Sequence, residues 1–143
     1  REAGFRDGLA QAGLPLMAHG LGQFTVEGAK EAARQMFDCP APPDAVFVAT
    51  DHMAFAVMDV IRSELGLRVP EDVSVIGYDD VPPAAWAAYD LTTVRQRANV
   101  MVQETVTLLL DKISNPASEP RHIKVDSPLI IRRSAKIPKG WTP

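Results

Sequence analysis

Ala45-Val46-Phe47-Val48-Ala49-Thr50-Asp51 is the stretch that decides how the rest of the chain is read. Its opening run is continuously apolar and too short for a helix. It therefore predicts a strand buried on both faces, as in parallel sheets. Thr50 and Asp51 follow at once, and either can cap a helix running to about Leu65, where Gly66 supplies the stop. That helix is apolar nearly all round at its start, through Met53, Ala54, Phe55, Ala56, Val57 and Met58. One face can cover a sheet, and the other needs a second burial partner, such as another subunit.

Downstream, Val69-Pro70-Glu71-Asp72 reads as a turn and Val73-Ser74-Val75-Ile76-Gly77 as the next strand. It ends in Tyr78-Asp79-Asp80, ahead of a Pro82-Pro83 turn. Upstream, Phe5, Leu9 and Ala12 share a helical face before Gly13, and Leu14 to Ala18 reads as a short strand. Thr25 can cap a second helix whose apolar side is Ala29, Ala32, Ala33, Met36 and Phe37, ended by Pro40, Pro42 and Pro43. Repeated strand–helix units predict an α/β fold with a doubly wound parallel sheet and right-handed crossovers. After Asp90 the pattern changes. Thr92 to Gln96 reads as extended. Asn99 to Ile113 reads as an amphipathic helix with Met101, Val102, Thr105, Leu108, Leu109 and Lys112 along one side. His122 to Val125 and Leu129 to Arg132 alternate as strands do, with Pro128 between them.

The 143 residues suit one ordinary domain, and 46% hydrophobic with 23% charged residues argues against global disorder. Twelve prolines and nine glycines argue against a coiled coil. No apolar run approaches the roughly 18–20 residues that a membrane helix needs. Cys39 stands alone, so it forms no internal disulfide and no zinc site of the usual kind, consistent with a reducing compartment. Charge is split: residues 1–90 carry 6 basic and 14 acidic side chains, and residues 91–143 carry 9 basic and 4 acidic. The basic residues of the last third alternate with β-branched ones, as in Arg121-His122-Ile123-Lys124-Val125, which fits the solvent side of strands better than a nucleic-acid surface.

Ligands of open parallel sheets bind beyond the carboxyl ends of the strands. On this reading His19-Gly20, Thr50-Asp51 and Asp79-Asp80 lie there. Acceptors beside helix N-termini suit a polyhydroxylated or heteroaromatic small molecule. Asp51 is a helix cap or a ligand contact, Asp80 a turn cap, and Asp79, directly after a buried strand, a ligand contact or a structural acceptor. Catalysis is not expected. His19, His52 and His122 have no metal-ligand spacing, and neither a G-x-S-x-G elbow nor a G-x-x-x-x-G-K-[ST] loop occurs. A Mg²⁺ or receiver-type site at Asp79-Asp80 also needs a basic residue at a neighbouring strand end, and the reading finds none there. No cofactor and no metal are expected.

Four ordered blocks carry a family resemblance. Pro43-Asp44-Ala45-Val46-Phe47-Val48-Ala49-Thr50-Asp51-His52-Met53-Ala54 resembles the P-T-A-x-x-x-x-N-D-x-M-A stretch of the Lac/Gal repressor family. Gly66-Leu67-Arg68-Val69-Pro70-Glu71-Asp72-Val73-Ser74-Val75-Ile76-Gly77-Tyr78-Asp79-Asp80 is close to a family signature. Leu91-Thr92-Thr93-Val94-Arg95-Gln96 and Leu129-Ile130-Ile131-Arg132-Arg133-Ser134 are similar to two further blocks, and Arg1-Glu2-Ala3-Gly4-Phe5 resembles the R-x-x-G-F helix start.

The resemblance implies the effector-binding region of a bacterial transcription regulator, with a periplasmic-binding-protein-like type I fold of two α/β subdomains. The chain corresponds to the C-terminal part of a regulator about twice as long or more. It opens on Arg1 rather than Met, so upstream sequence is expected. Residues 1–91 would form the C-terminal subdomain. Residues 92–128 would hold crossing segments and part of the N-terminal subdomain, residues 129–137 would return to the C-terminal subdomain, and 138–143 would be an irregular tail. Such a piece holds part of the cleft, so weak effector binding by the isolated chain is expected. The resemblance also implies a cytoplasmic homodimer that binds a sugar or similar metabolite and reaches operator DNA through a separate N-terminal domain, with no membrane partner. A periplasmic sugar receptor of a transporter is the alternative on the same fold.

Site residues carry over one at a time. Arg1 matches the family arginine that contacts effector hydroxyls or polar ring atoms, and Asp79 the aspartate that accepts hydrogen bonds from the effector. Thr50 stands where many sugar-responsive members have Asn. Gln23 aligns with the place of the ring-stacking aromatic, with Phe24 beside it as the stacking candidate. Gln96 matches a glutamine near the crossing segments. The family dimerises through the C-terminal subdomain, which makes Phe55, Met58 and Trp86 interface candidates. For Met58, ordinary core packing is the alternative.

Overall fold

The computed structural model describes residues 1–140. Helix α1 (Glu2–Gln11) stops before Gly13, whose φ of +68° is open to glycine at no steric cost. Helix α2 (Val26–Phe37) is capped by Thr25, whose Oγ1 accepts from the Gly28 amide at 3.0 Å. Ala29, Ala32 and Ala33 are its buried face, as their spacing predicts. Strand β1 (Ala45–Phe47) leads into α3 (Asp51–Asp59), which continues as a π-helical turn over Val60–Glu64. Strand β2 (Ser74–Asp79), a short 3₁₀ turn (Pro82–Ala85), β3 (Thr92–Arg95), α4 (Ala98–Ser114) and β4 (Leu129–Ile130) complete the order.

The sheet order is β1-β2-β3-β4, with β1, β2 and β3 parallel and β4 antiparallel to β3. Val46, Val48 and Val75 lie on one face with α3 and α2 packed over them. On the other face of β1, Phe47 stacks on Phe5 of α1 at 5.1 Å between ring centroids. Helices on both faces of a largely parallel sheet are the architecture expected from the strand–helix alternation. After the turn at Arg133–Ser134, the chain is tied back to β2: the Val75 amide donates to Ser134 O and the Ser134 hydroxyl donates to Val75 O.

Several expectations need correction. Leu14 to Ala18 is not a strand. Pro15 has no amide to give to a ladder, and Leu14 and Met17 stand well exposed. His122 to Val125 is not a strand either, since no neighbouring strand among the described residues offers it a ladder. Phe55 and Met58, expected at an interface, pack within the chain's own core. Met58 is fully buried, and Phe55 stacks on Tyr89 at 4.3 Å inside the same cluster. The second face of α3 is covered by α2 from within the chain, so it needs no other subunit. Helix α4 forms as its pattern predicts but contains no buried residue. Of the tail expected to be irregular, 138–140 carry no helix or strand, and 141–143 lie outside the described residues.

Candidate functional site

Three consecutive parallel strands deliver groups to one rim. Just beyond β1, the Ala49 carbonyl accepts from Arg1 Nη1 at 2.6 Å. At the end of β2, Asp79 Oδ1 accepts from Arg1 Nη2 at 3.3 Å and also from Gln96 Nε2. Gln96 is the residue after β3. The Arg1 guanidinium sits 4.0 Å from the centre of the Tyr78 ring, a cation–π contact. Arg1 and Asp79 side chains remain 33% and 21% exposed, so the cluster faces solvent. Asp79 Oδ2 takes no hydrogen bond among the described residues and is free to accept one.

This site is carried by a strained turn. Asp79 and Asp80 have φ of 126° and 58°, a region that L-residues with side chains seldom adopt. Asp51 and Asp80 hold that turn. Asp51 is fully buried at the first position of α3, where its Oδ2 accepts from the Val81 amide at 2.9 Å and its Oδ1 from the Thr93 hydroxyl at 2.6 Å. A side chain at Gly77 would collide with Asp51 Oδ1 and with Leu91, so glycine is required there by space. Asp80 is 6% exposed and accepts from Arg132 Nη2 at 2.7 Å and from Arg95 Nε. Burial pushes its carboxyl pKa up, but the hydrogen bonds from Arg132 and Arg95 outweigh burial and hold it below the ordinary value.

These contacts settle several assignments. Thr50, not Asp51, caps α3: its Oγ1 accepts from the Met53 amide at 3.3 Å. Asp80 is an ion-pair centre rather than a turn cap. Arg95 ends β3, which corrects the expectation that the strand ends lack a basic residue, and it is paired to Asp80. Asp80 therefore has no free charge to offer a cation. Sequence reasoning brought Arg1, Asp79 and Gln96 forward, and the fold brings them together. It missed Tyr78, Thr93, Arg95 and Arg132. The signal for Arg95 and Arg132 is their place inside two of the quoted family blocks, each an arginine within reach of the acidic turn only once the chain is folded.

Gln23 and Phe24 form a turn with φ of 50° and 56°, ahead of α2. Gly22 beside them lies against the Met53 side chain in the first turn of α3, which keeps this turn near the α3 end of the rim. Phe24 is 76% exposed, and neither side chain touches the Arg1–Asp79–Gln96 cluster through a hydrogen bond or ring contact among the described residues. Trp86, by contrast with Phe55 and Met58, is 59% exposed.

Residues 1–135 match the family described as periplasmic binding protein-like domain. The chain belongs to that family. Among curated relatives, this periplasmic-binding-protein-like chain is 37% identical over 138 residues to the HTH-type transcriptional regulator CelR of Thermobifida fusca, covering 94% of this chain and 40% of CelR. It is 38% identical over 136 residues to the HTH-type transcriptional repressor PurR of Escherichia coli, covering 94% of this chain and 40% of PurR. Among solved structures, a CelR–cellobiose complex superposes with a TM-score of 0.81 at 36% identity, over 92% of this chain and 41% of that one. The Lac repressor bound to ONPG superposes with a TM-score of 0.85 at 30% identity, over 94% of this chain and 40% of that one. The chain thus spans about two-fifths of the length of these relatives. The likeness to LacI-type regulators and the type I fold agree with the resemblance read from the four sequence blocks.

Proposed function

We propose that this chain is the effector-sensing part of a cytoplasmic transcriptional regulator. It binds a sugar or similar small metabolite at the rim formed by Arg1, Asp79 and Gln96, with Thr50 beside them and Phe24 as the stacking candidate. It does no catalysis. The observation that carries this reading is the meeting of Arg1, Asp79 and Gln96 at the carboxyl ends of three parallel strands. A carboxylate with one free oxygen beside a fixed guanidinium matches paired donors and acceptors on a ligand, such as vicinal hydroxyls. The relatives named above are transcriptional regulators, and one of their structures is a cellobiose complex.

In this reading residues 1–91 and 129–137 form one lobe, and α4 with the residues around it belongs to the other. The complete burial of Leu91 and the absence of any buried residue in α4 support that division. Effector binding changes how the lobes of a homodimer sit, and with it the operator affinity of a DNA-binding domain elsewhere in the full-length protein. Trp86 is the interface candidate on the C-terminal lobe.

Calorimetric titration of the full-length protein with a panel of mono- and disaccharides, cellobiose included, and of nucleobases tests the reading. At least one compound should bind the native protein and bind Asp79→Ala at least about tenfold more weakly, the scale of one lost charge-assisted hydrogen bond. Binding that is indifferent to both Asp79→Ala and Arg1→Ala would place the site elsewhere.

A further inference from the structure

Asp79 and Asp80 are neighbours in one strained turn, and their carboxylates are engaged by different sets of partners. Asp79 meets Arg1 and Gln96 at the rim. Asp80 meets Arg95, the last residue of β3, and Arg132, two residues after β4. Those strands are the segments that lead toward and return from α4. Arg132 is fixed further, since its Nη1 donates to Leu91 O at 2.7 Å and its amide donates to Thr92 Oγ1 at 2.9 Å. The Arg95 amide donates to Pro128 O at 2.9 Å, so the two segments are tied to each other as well as to Asp80.

Both aspartates hold φ values that glycine would adopt without strain, yet the position is not glycine. The surrounding contacts over-determine the turn, through Asp51 on Val81 from below and the two arginines on Asp80. A turn held this way has few independent motions. A shift of the Asp79 backbone would carry Asp80 with it, and Asp80 is bonded to both arginines.

We propose that the Asp79–Asp80 turn is a relay, with Asp80 the positioning residue that transmits the state of the Arg1–Asp79–Gln96 site to β3 and β4 through Arg95 and Arg132. The proposal rests on the effector reading above and adds the route by which occupancy of that site reaches the segments joining the lobes. The physical warrant is energetic coupling between two sets of contacts that meet at the turn and at the Asp79–Arg95 pairing of β2 with β3, and the Asp80→Asn background isolates the part that runs through Asp80.

Hydrogen exchange on the full-length protein, without ligand, tests it at the backbone amides of Arg95 and Arg132, with the Val48 amide, bonded to Ile76 O, as the reference within the sheet. Asp79→Asn removes charge at the rim and should speed exchange at Arg95 and Arg132 by about fivefold or more, leaving Val48 unchanged. In an Asp80→Asn background the same Asp79→Asn change should alter those amides by less than about twofold, because the relay is already cut. Arg95→Gln, at a half-exposed residue, is a second background that keeps the test open if Asp80→Asn does not fold. Equal acceleration in native and relay-cut backgrounds would overturn the proposal. So would no acceleration at all, or equal loosening of Val48. No ligand enters this experiment, so its failure is distinct from failure of the effector titration.

Discussion

At the residue scale, Gly77 has no room for a side chain. Its missing Cβ leaves room for the Asp51 carboxylate, which bonds β3 and the Val81 amide at once. Gly77→Ala should destabilise the chain by about 1–3 kcal/mol, measured by urea denaturation, because the buried Asp51 must move off its partners. Met58→Ala should cost about 2–5 kcal/mol by the same measurement, as expected of a fully buried side chain. Trp86→Ala should leave the monomer's stability within about 0.5 kcal/mol while weakening self-association in sedimentation, as expected of an exposed side chain. These contrasting outcomes separate core from interface. Sequence alone could not do so, because an all-round apolar helix reads the same whether a second helix or a second subunit covers it. Asp79 was legible because it directly follows a buried strand, where ligands of parallel sheets bind, whereas Arg1 came forward only through the family resemblance. Asp80's role was not, because its two arginine partners lie 15 and 52 positions away in the sequence.

At the scale of elements, caps and stops were legible and edge pairing was not. Thr25 and Thr50 cap their helices, and glycines lie just beyond the ends of α1 and the π-helical turn, because each of these is decided within one turn of chain. A strand needs a neighbour. Leu14 to Ala18 and His122 to Val125 have strand-like residues but no ladder among the described residues. The junction of β2 with β3 and β4 carries a pH signature. The Asp80 carboxyl is held below its ordinary value of 3.8 in the folded state, so its contribution to stability is fully present above that value and is lost as pH falls through the lowered folded pKa. Asp80→Asn should lower stability at neutral pH by about 3 kcal/mol, the order for breaking a largely buried ion pair. It should also flatten the acid limb of the stability curve below about pH 4, read by urea melts at several pH values.

For the whole molecule, the sheet, α2 and α3 make the core, while α4 lays Met101, Val102, Val106, Leu109, Leu110 and Ile113 open to solvent. Arg1 and Asp79 meet water on their open side, and contacts from a single rim are weak. The isolated 143-residue chain should therefore bind any effector no better than about millimolar, and micromolar affinity in calorimetry would contradict that. On the proposed function, occupancy of the Arg1–Asp79–Gln96 rim governs the full-length protein's hold on DNA. The most direct measurement is the operator affinity of the full-length protein with and without a compound that binds in an Asp79-dependent way. That affinity should change at least about tenfold in the native protein and not at all in Asp79→Ala. An operator affinity that stays the same while the rim is saturated would contradict it.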